Sequence, residues 1–283
     1  MISILGLAPM GRALTVALLD AGYRTTVWNR TAAKADGVRA RGALWADSPA
    51  QAVAAADLTL VNVVDQTVLD AVVTSAGAAV ADRVIVGLAS DTPDAARRTA
   101  RLVDGLGGRY LDGAIMTPTE TIGSARASIL FSGPRELYDT HRPVFDALAT
   151  PTWVGEDPGR AAAFDMALLD LFWTSVSGVL HSVNVARANG ISPAELLPHA
   201  QGIAGILPPI VDELLERIGA DRHDDSSAPV ASVAASVRHL ITASRAAGVD
   251  AGALEAFRGY VDAAVAAGYG ADEISRIAQT MGS

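Results

Sequence analysis

The chain has no cysteine and a single lysine, and each shortage narrows its chemistry. Without thiols there is no disulfide, thiolate zinc site, iron–sulfur cluster or cysteine nucleophile. Of the 22 basic residues all but Lys34 are arginine, so any step that needs an amine side chain has one candidate. Positive charge is scarce as a whole. Against 31 acidic residues it leaves a net charge of −9, which argues against binding a phosphate backbone, and nucleic acid is not an expected partner. No stretch of about 18 residues is apolar throughout without charges or turn formers, and Met1 leads straight into a strand pattern with no basic leader. A cytoplasmic protein without membrane association is expected.

What is present is 283 residues, 50% apolar and 19% charged, enough to bury a substantial core and to suggest two domains. The first half alternates β-branched runs with alanine-rich helical patterns, the signature of a parallel sheet wrapped by helices. Strands are expected at Ile2 to Leu7, Thr25 to Trp28, Leu58 to Val64, Val84 to Leu88, Arg109 to Ile115, Ser128 to Ser132 and Thr152 to Val154. Helices are expected at Gly11 to Ala21, Ala32 to Arg41, Pro49 to Ala55, Gln66 to Ala76, Pro93 to Leu106 and Arg135 to Leu148. After the turn-rich Gly155-Glu156-Asp157-Pro158-Gly159 the strand signals stop. Arg160 to Ala188 reads as one long helix ended by Asn189-Gly190, with a break near Gly178 as the alternative. Further helices are expected at Pro193 to Leu197, Leu207 to Ile218, Val230 to Ala247, Gly252 to Ala267 and Asp272 to Met281, and Ala220 to Ala228 is expected to be a loop. This places a doubly wound α/β domain at 1–157 and an all-α domain at 158–283. So long a helix needs cover for its apolar faces, which suggests a dimer interleaving these helices.

The first strand runs into Gly6-Leu7-Ala8-Pro9-Met10-Gly11 and then a helix, the context of a dinucleotide-binding loop whose middle glycine is Ala8. Ala8 adds a methyl where phosphate comes closest, and Pro9 brings no N–H. At the end of the second strand stand Asn29, Arg30 and Thr31, with Lys34 one turn on and no carboxylate from Val27 to Ala35. An acidic residue here would accept from a ribose 2′-hydroxyl, whereas Arg30 and Lys34, with Asn29 and Thr31 as hydrogen-bonding neighbours, suit a 2′-phosphate. NADPH is therefore preferred over NADH.

For proton transfer the long helix offers Asp165 and Asp170 in an otherwise apolar run. At about 100° per residue they lie about 140° apart, so at most one faces a given cleft. Asp165 is nearer the cofactor domain, and the residues alone leave both open. A carboxyl in apolar surroundings tends to keep its proton, which suits an acid working near neutrality. The five histidines show no metal-ligand spacing. Phe172 and Trp173 are expected in the core, or Trp173 as the wall of a pocket.

Together, Gly6 to Gly11, Val27-Trp28-Asn29-Arg30-Thr31 with Lys34, Leu111-Asp112-Gly113-Ala114-Ile115-Met116, Leu130-Phe131-Ser132-Gly133-Pro134 and Ala167-Leu168-Leu169 before Trp173 resemble the NADPH-dependent imine reductases and reductive aminases. The resemblance spans essentially the whole chain. It implies a Rossmann domain, a long inter-domain helix, a helical C-terminal domain, and a dimer that exchanges helical domains. It also implies reduction of imines or iminium ions, often cyclic, to amines with NADPH. By the same resemblance Asp165 falls on the catalytic position, as a proton donor or as a carboxylate that stabilises an iminium ion, Ser90 and Trp173 fall on the substrate pocket, and Val63 and Ser90 join the glycine loop, Asn29, Arg30, Thr31 and Lys34 in holding the cofactor. Trp173 stands where reductive aminases have tyrosine and Ser90 where they have asparagine, which favours a preformed imine over coupling of a carbonyl with an amine. The related β-hydroxyacid dehydrogenases use a lysine on the inter-domain helix, and here that lysine is missing. The alternatives are a carbonyl or hydroxyacid reductase on the same fold, and a non-catalytic NADPH-binding protein.

Overall fold

The short apolar runs of the first half pair into one eight-stranded sheet in the computed structural model of the chain, which describes residues 1–282. The strands are β1 (Ile2–Leu5), β2 (Thr25–Trp28), β3 (Leu44–Trp45), β4 (Leu58–Val61), β5 (Val84–Gly87), β6 (Arg109–Ile115), β7 (Ser128–Ser132) and β8 (Thr150–Gly155), ordered β3-β2-β1-β4-β5-β6-β7-β8. All neighbours run parallel except β6 with β7. The connecting helices are α1 (Pro9–Asp20), α2 (Asp36–Arg39), α3 (Pro49–Ala54), α4 (Gln66–Ala76), α5 (Pro93–Gly105) and α6 (Arg135–Asp146).

Successive strand residues point to opposite faces, so Ile4, Leu60 and Val86 enter one core with Leu14 and Leu18 of α1 and Phe145 of α6. Their neighbours Leu5, Val61 and Ile85 enter a second core with Val53, Leu69 and Val103 of α3, α4 and α5. Burial on both faces is why the strands read as unbroken apolar runs. Because β1 lies between β2 and β4, the chain reverses its direction of travel across the sheet there, and a crevice opens at the carboxyl ends of β1 and β4.

Packing divides the chain into one unit from Met1 to Leu171 and a second beginning at Phe172. Helix α7 (Arg160–Ala188) runs unbroken through that division, and a side chain at Gly178 would meet nothing within 4 Å. The second unit continues with α8 (Pro193–Gly205), α9 (Leu207–Gly219), α10 (Val230–Ala246) and α11 (Gly252–Ala266). Its buried apolar clusters are small, with Val230, Ala234, Val261, Ala264 and Ile277 in one and Val237, Ile241 and Ala251 in the other. Helix α8 buries none of its residues.

Several sequence expectations are corrected. Strand β3 has two residues, too few for any periodicity to show. The segment expected as a helix from Ala32 to Arg41 is a 3₁₀ turn at Ala32–Ala35 followed by the single turn of α2. The C-terminal segment is a 3₁₀ helix, Ile274–Gln279. Helix α8 passes Pro198, where a stop is expected, because a capping box of Ser192 and Glu195 starts it firmly and the proline forfeits one backbone bond. Phe172 and Trp173 are not core residues: they are 55% and 62% exposed, since α7 brings more apolar surface than this single chain covers. By length and composition α7, with a mean hydropathy of 1.3 over its most apolar window, is also long and apolar enough to cross a membrane, although Asp165 and Asp170 interrupt it.

Candidate active site

The loop from Gly6 to Gly11 closes the turn from β1 into α1, and its two outer glycines are demanded by contact. Gly6 has φ of +98°, and a Cβ there would lie 2.0 Å from the carbonyl oxygen of Asn62. A Cβ at Gly11 would lie 1.9 Å from the carbonyl oxygen of Gly6. Ala8 between them is in ordinary extended backbone, φ −63° and ψ 171°, with Pro9 at the first helical position. Its methyl is exposed and strains nothing, so the departure from glycine leaves the loop's shape intact. The N–H groups of Met10 and Gly11 belong to the first turn, where an α-helix provides no acceptor, and face the place where an anion is favoured.

Leu7 N–H donates to Asn29 Oδ1 at 2.9 Å, and Asn29 Nδ2 donates to the Thr31 carbonyl at 2.9 Å. Asn29 therefore ties the glycine loop to the end of β2. Arg30, Thr31 and Lys34 next to it are exposed, and neither cation has an ion-pair partner among the described residues. A hydroxyl and two cations without ion-pair partners on one turn are the groups that a phosphate would need.

At the carboxyl ends of β4, β5 and β6 lies a cavity of about 280 Å³. Met10, Val63 and Ser90 line it together with Asn62, Leu88 and Ile115. The two glycine contacts, the unpaired cations and this mixed apolar and polar cavity fit a phosphorylated dinucleotide laid across the strand ends.

Asp165, in the second turn of α7, is 4% exposed, and its carboxylate accepts a hydrogen bond from the Ser90 hydroxyl. Burial raises its pKa above the ordinary aspartate value, and the Ser90 bond partly opposes this. Asp170 is exposed on another face. Trp173 belongs to the second unit, packed edge-on against Phe172 with ring centroids 5.1 Å apart.

The sequence reading missed Asp112 as part of the site. It is 2% exposed in β6, and its Oδ1 accepts from Tyr110 Oη at 3.0 Å and Gln66 Nε2 at 3.3 Å. Burial pushes its carboxyl up to about 7, against the three hydrogen bonds from Tyr110, Ala162 N–H and Gln66, and the Asp165 charge adds to the rise. The signal was there: an aspartate within a strand whose flanking residues are all buried.

Two family models match the chain. One, described as the NAD binding domain of 6-phosphogluconate dehydrogenase, covers residues 1–155. The other, described as an NADPH-dependent reductive aminase-like C-terminal domain, covers 157–283. The NADPH-dependent reductive aminase of Aspergillus oryzae is 30% identical over 98% of this chain and 95% of its own length. Among solved structures, the imine reductase from Myxococcus stipitatus in complex with NADP+ matches with a TM-score of 0.95 and 31% identity over 99% of both chains. The reductive aminase from Aspergillus terreus in complex with NADPH4, cyclohexanone and allyl amine matches with a TM-score of 0.93 and 30% identity, covering 99% of this chain and 98% of that one. With a Rossmann-type sheet and two family matches that together span nearly the whole chain, this chain belongs to the family of NADPH-dependent imine reductases and reductive aminases.

Proposed function

We propose that the protein is a cytoplasmic NADPH-dependent reductase of imines, cyclic ones included, with Asp165 as the acid. The observation that carries the proposal is the buried carboxyl of Asp165 held by Ser90, a lining residue of the cavity at the strand ends. The 2′-phosphate is assigned to Arg30, Thr31 and Lys34, with Asn29 holding the turn, and the pyrophosphate to the loop from Gly6 to Gly11. NADPH, when bound, supplies the hydride. Protonated Asp165 gives its proton to the imine nitrogen as the carbon is reduced. The carboxylate left behind is stabilised by the Ser90 hydroxyl and regains its proton from water. Burial favours this role, because it keeps the carboxyl protonated further toward neutral pH than an exposed aspartate. Val63 and Ser90 are assigned to the nicotinamide end and Trp173 to the substrate.

The functional division lies at 157/158, near the junction of the two family matches, although packing keeps the first turns of α7 with the sheet. A preformed imine is the favoured substrate, since Ser90 and Trp173 replace the asparagine and tyrosine of the reductive aminases. The Aspergillus terreus complex keeps coupling of a ketone with an amine as the second reading. Interleaving of two copies through the helical domains is supported by exposure: 15 of the 22 large apolar residues left exposed fall between Phe164 and Ile218.

The test is NADPH oxidation by purified protein with a small cyclic imine, repeated with NADH, with a ketoacid lacking any amine, and with Asp165→Ala. Turnover with NADPH and imine that collapses in the variant is the expected result. Wild-type turnover in Asp165→Ala removes the residue from the chemistry, and ketoacid reduction alone moves the protein to another substrate class.

A further inference from the structure

In the register of β6 against β7, Asp112 stands directly opposite Ser132. Both side chains reach the start of α7. Ser132 Oγ accepts from Ala161 N–H at 2.9 Å and donates to the Pro158 carbonyl at 3.0 Å, while Asp112 accepts from Ala162 N–H. These are first-turn N–H groups for which the helix itself has no acceptor. Two neighbouring strands of the sheet thus cap one helix from below. Asp165 lies three residues after Ala162, on the same side of the helix one turn on.

Asp112 is itself held in place. Gln66, the first residue of α4, donates to it at 3.3 Å, while Gln66 Oε1 lies 3.0 Å from the Thr99 hydroxyl and Gln66 N–H donates to Asp91 Oδ2 at 3.2 Å. Thr99 Oγ1 in turn donates to Asp70 Oδ1 at 2.6 Å. The titratable groups around Asp112 are Tyr110 on its own strand, Asp165 on α7, and beyond Gln66 and Thr99 the carboxylates Asp91 and Asp70. Each is acidic and Tyr110, driven up by burial, stays neutral, so no cation in this set offsets the charge of an ionised Asp112.

We propose that Asp112 is a positioning residue for the reaction: it fixes the first turn of α7 and with it the placement of Asp165 beside Ser90. The inference deepens the proposed function and rests on Asp165 being the acid. Nothing in the role requires Asp112 to touch substrate.

The experiment compares Asp112→Ala, Asp112→Asn and Asp165→Ala in the full chain, reading thermal melting, NADPH affinity, and kcat and KM for a cyclic imine from about pH 5 to about pH 9. Asp112→Ala removes the cap, and kcat is expected to fall roughly ten- to hundredfold with NADPH affinity within about threefold, as a misplaced acid would give. Asp112→Asn keeps an oxygen for Ala162 N–H and should recover most of kcat. Should the alanine variant fail to fold, the asparagine variant alone decides. A folded Asp112→Asn protein whose kcat is lost as in Asp112→Ala, or an Asp112→Ala protein with wild-type kcat, beside an inactive Asp165→Ala, overturns the positioning role and leaves the acid assignment standing. Full activity in Asp165→Ala overturns both.

Discussion

The outer glycines of the cofactor loop and the alanine between them should respond to substitution in opposite ways. In Gly11→Ala the new Cβ would start 1.9 Å from the Gly6 carbonyl oxygen, against about 3.5 Å for an unstrained contact, so β1 and α1 must separate by about 1.5 Å. The obstacle is backbone, with no side chain to swing aside. That backbone is pinned by Gly6 N–H to the Trp28 carbonyl at 2.9 Å, Asn62 N–H to the Leu5 carbonyl at 2.8 Å and Leu7 N–H to Asn29 at 2.9 Å. Gly6→Ala meets the Asn62 carbonyl in the same way and adds the strain of φ +98°. Overpacking at about 1–3 kcal/mol and a left-handed alanine at about 1–2 kcal/mol give about 2–5 kcal/mol for Gly6→Ala. In a chain of this size that lowers Tm by roughly 10 °C. Ala8→Gly should cost only about 0.5–1 kcal/mol, through the freer unfolded chain, and leave the NADPH dissociation constant within about threefold. Calorimetry and fluorescence titration with NADPH test all three. A Gly6→Ala or Gly11→Ala protein that melts and binds like wild type would refute the steric account. So would an Ala8→Gly protein that binds more than about tenfold tighter, since the methyl would then obstruct the phosphate after all.

Two further outcomes follow from the charges. Arg30→Ala or Lys34→Ala should each weaken NADPH by roughly ten- to hundredfold, the loss of a charge-assisted bond, while NADH affinity stays within about twofold; equal losses for both cofactors, measured by paired titrations, would place these side chains elsewhere. Asp112 should make stability depend on pH. With an unfolded value of 3.8 and a folded value of about 7, the folded chain holds a proton between these limits that the unfolded chain has lost, so stability falls as pH rises through this window and levels off above it. The span is about three units, or about 4 kcal/mol at most. The raised Asp165 acts in the same direction. Subtracting the urea unfolding profile of Asp112→Asn from that of wild type isolates this contribution, and a difference that does not change across the window would contradict it.

The sequence announces most elements because each carries its own period or its own punctuation. Helix α7 can be bounded from Pro158-Gly159 at one end and Asn189-Gly190 at the other, and β6 and β7 follow from their apolar runs. β3 stays hidden because two residues have no pattern, and the 3₁₀ turns at Ala32 and Ile274 hide because an alanine-rich or amphipathic stretch looks the same at three or 3.6 residues per turn. The phosphate turn is legible in Arg30 and Lys34, since it is local. The support of Asp165 is not local. Ser90 follows β5, Asp112 is in the middle of β6 and Ser132 ends β7, and only the sheet register sets Asp112 beside Ser132 beneath α7. Exposure of Phe172 and Trp173 could not be read either, because composition gives a residue's preference for burial and leaves open which chain supplies the cover.

The single lysine among 283 residues links the two halves of the site. In the proposed site a lysine on α7 would present a cation where a C=N substrate brings a basic or already positive nitrogen, and the two would repel. A carboxyl at that place attracts the nitrogen in either state, as an acid when protonated and as a counter-charge when ionised. Burial of Asp165 pushes it toward the protonated state, and the bond from Ser90 limits that push. The lysine the chain does keep stands on the turn to which we assign the 2′-phosphate, where permanent positive charge is useful and proton transfer is not. On that proposal opposite charges are kept to separate ends of the cofactor, guanidinium and ammonium at its phosphate and a carboxyl at the reacting nitrogen. In that arrangement neither end neutralises the other, and with the first turn of α7 capped by Ser132 and Asp112 the proposed acid would be in place before substrate arrives, leaving little reorganisation for the moment of reaction.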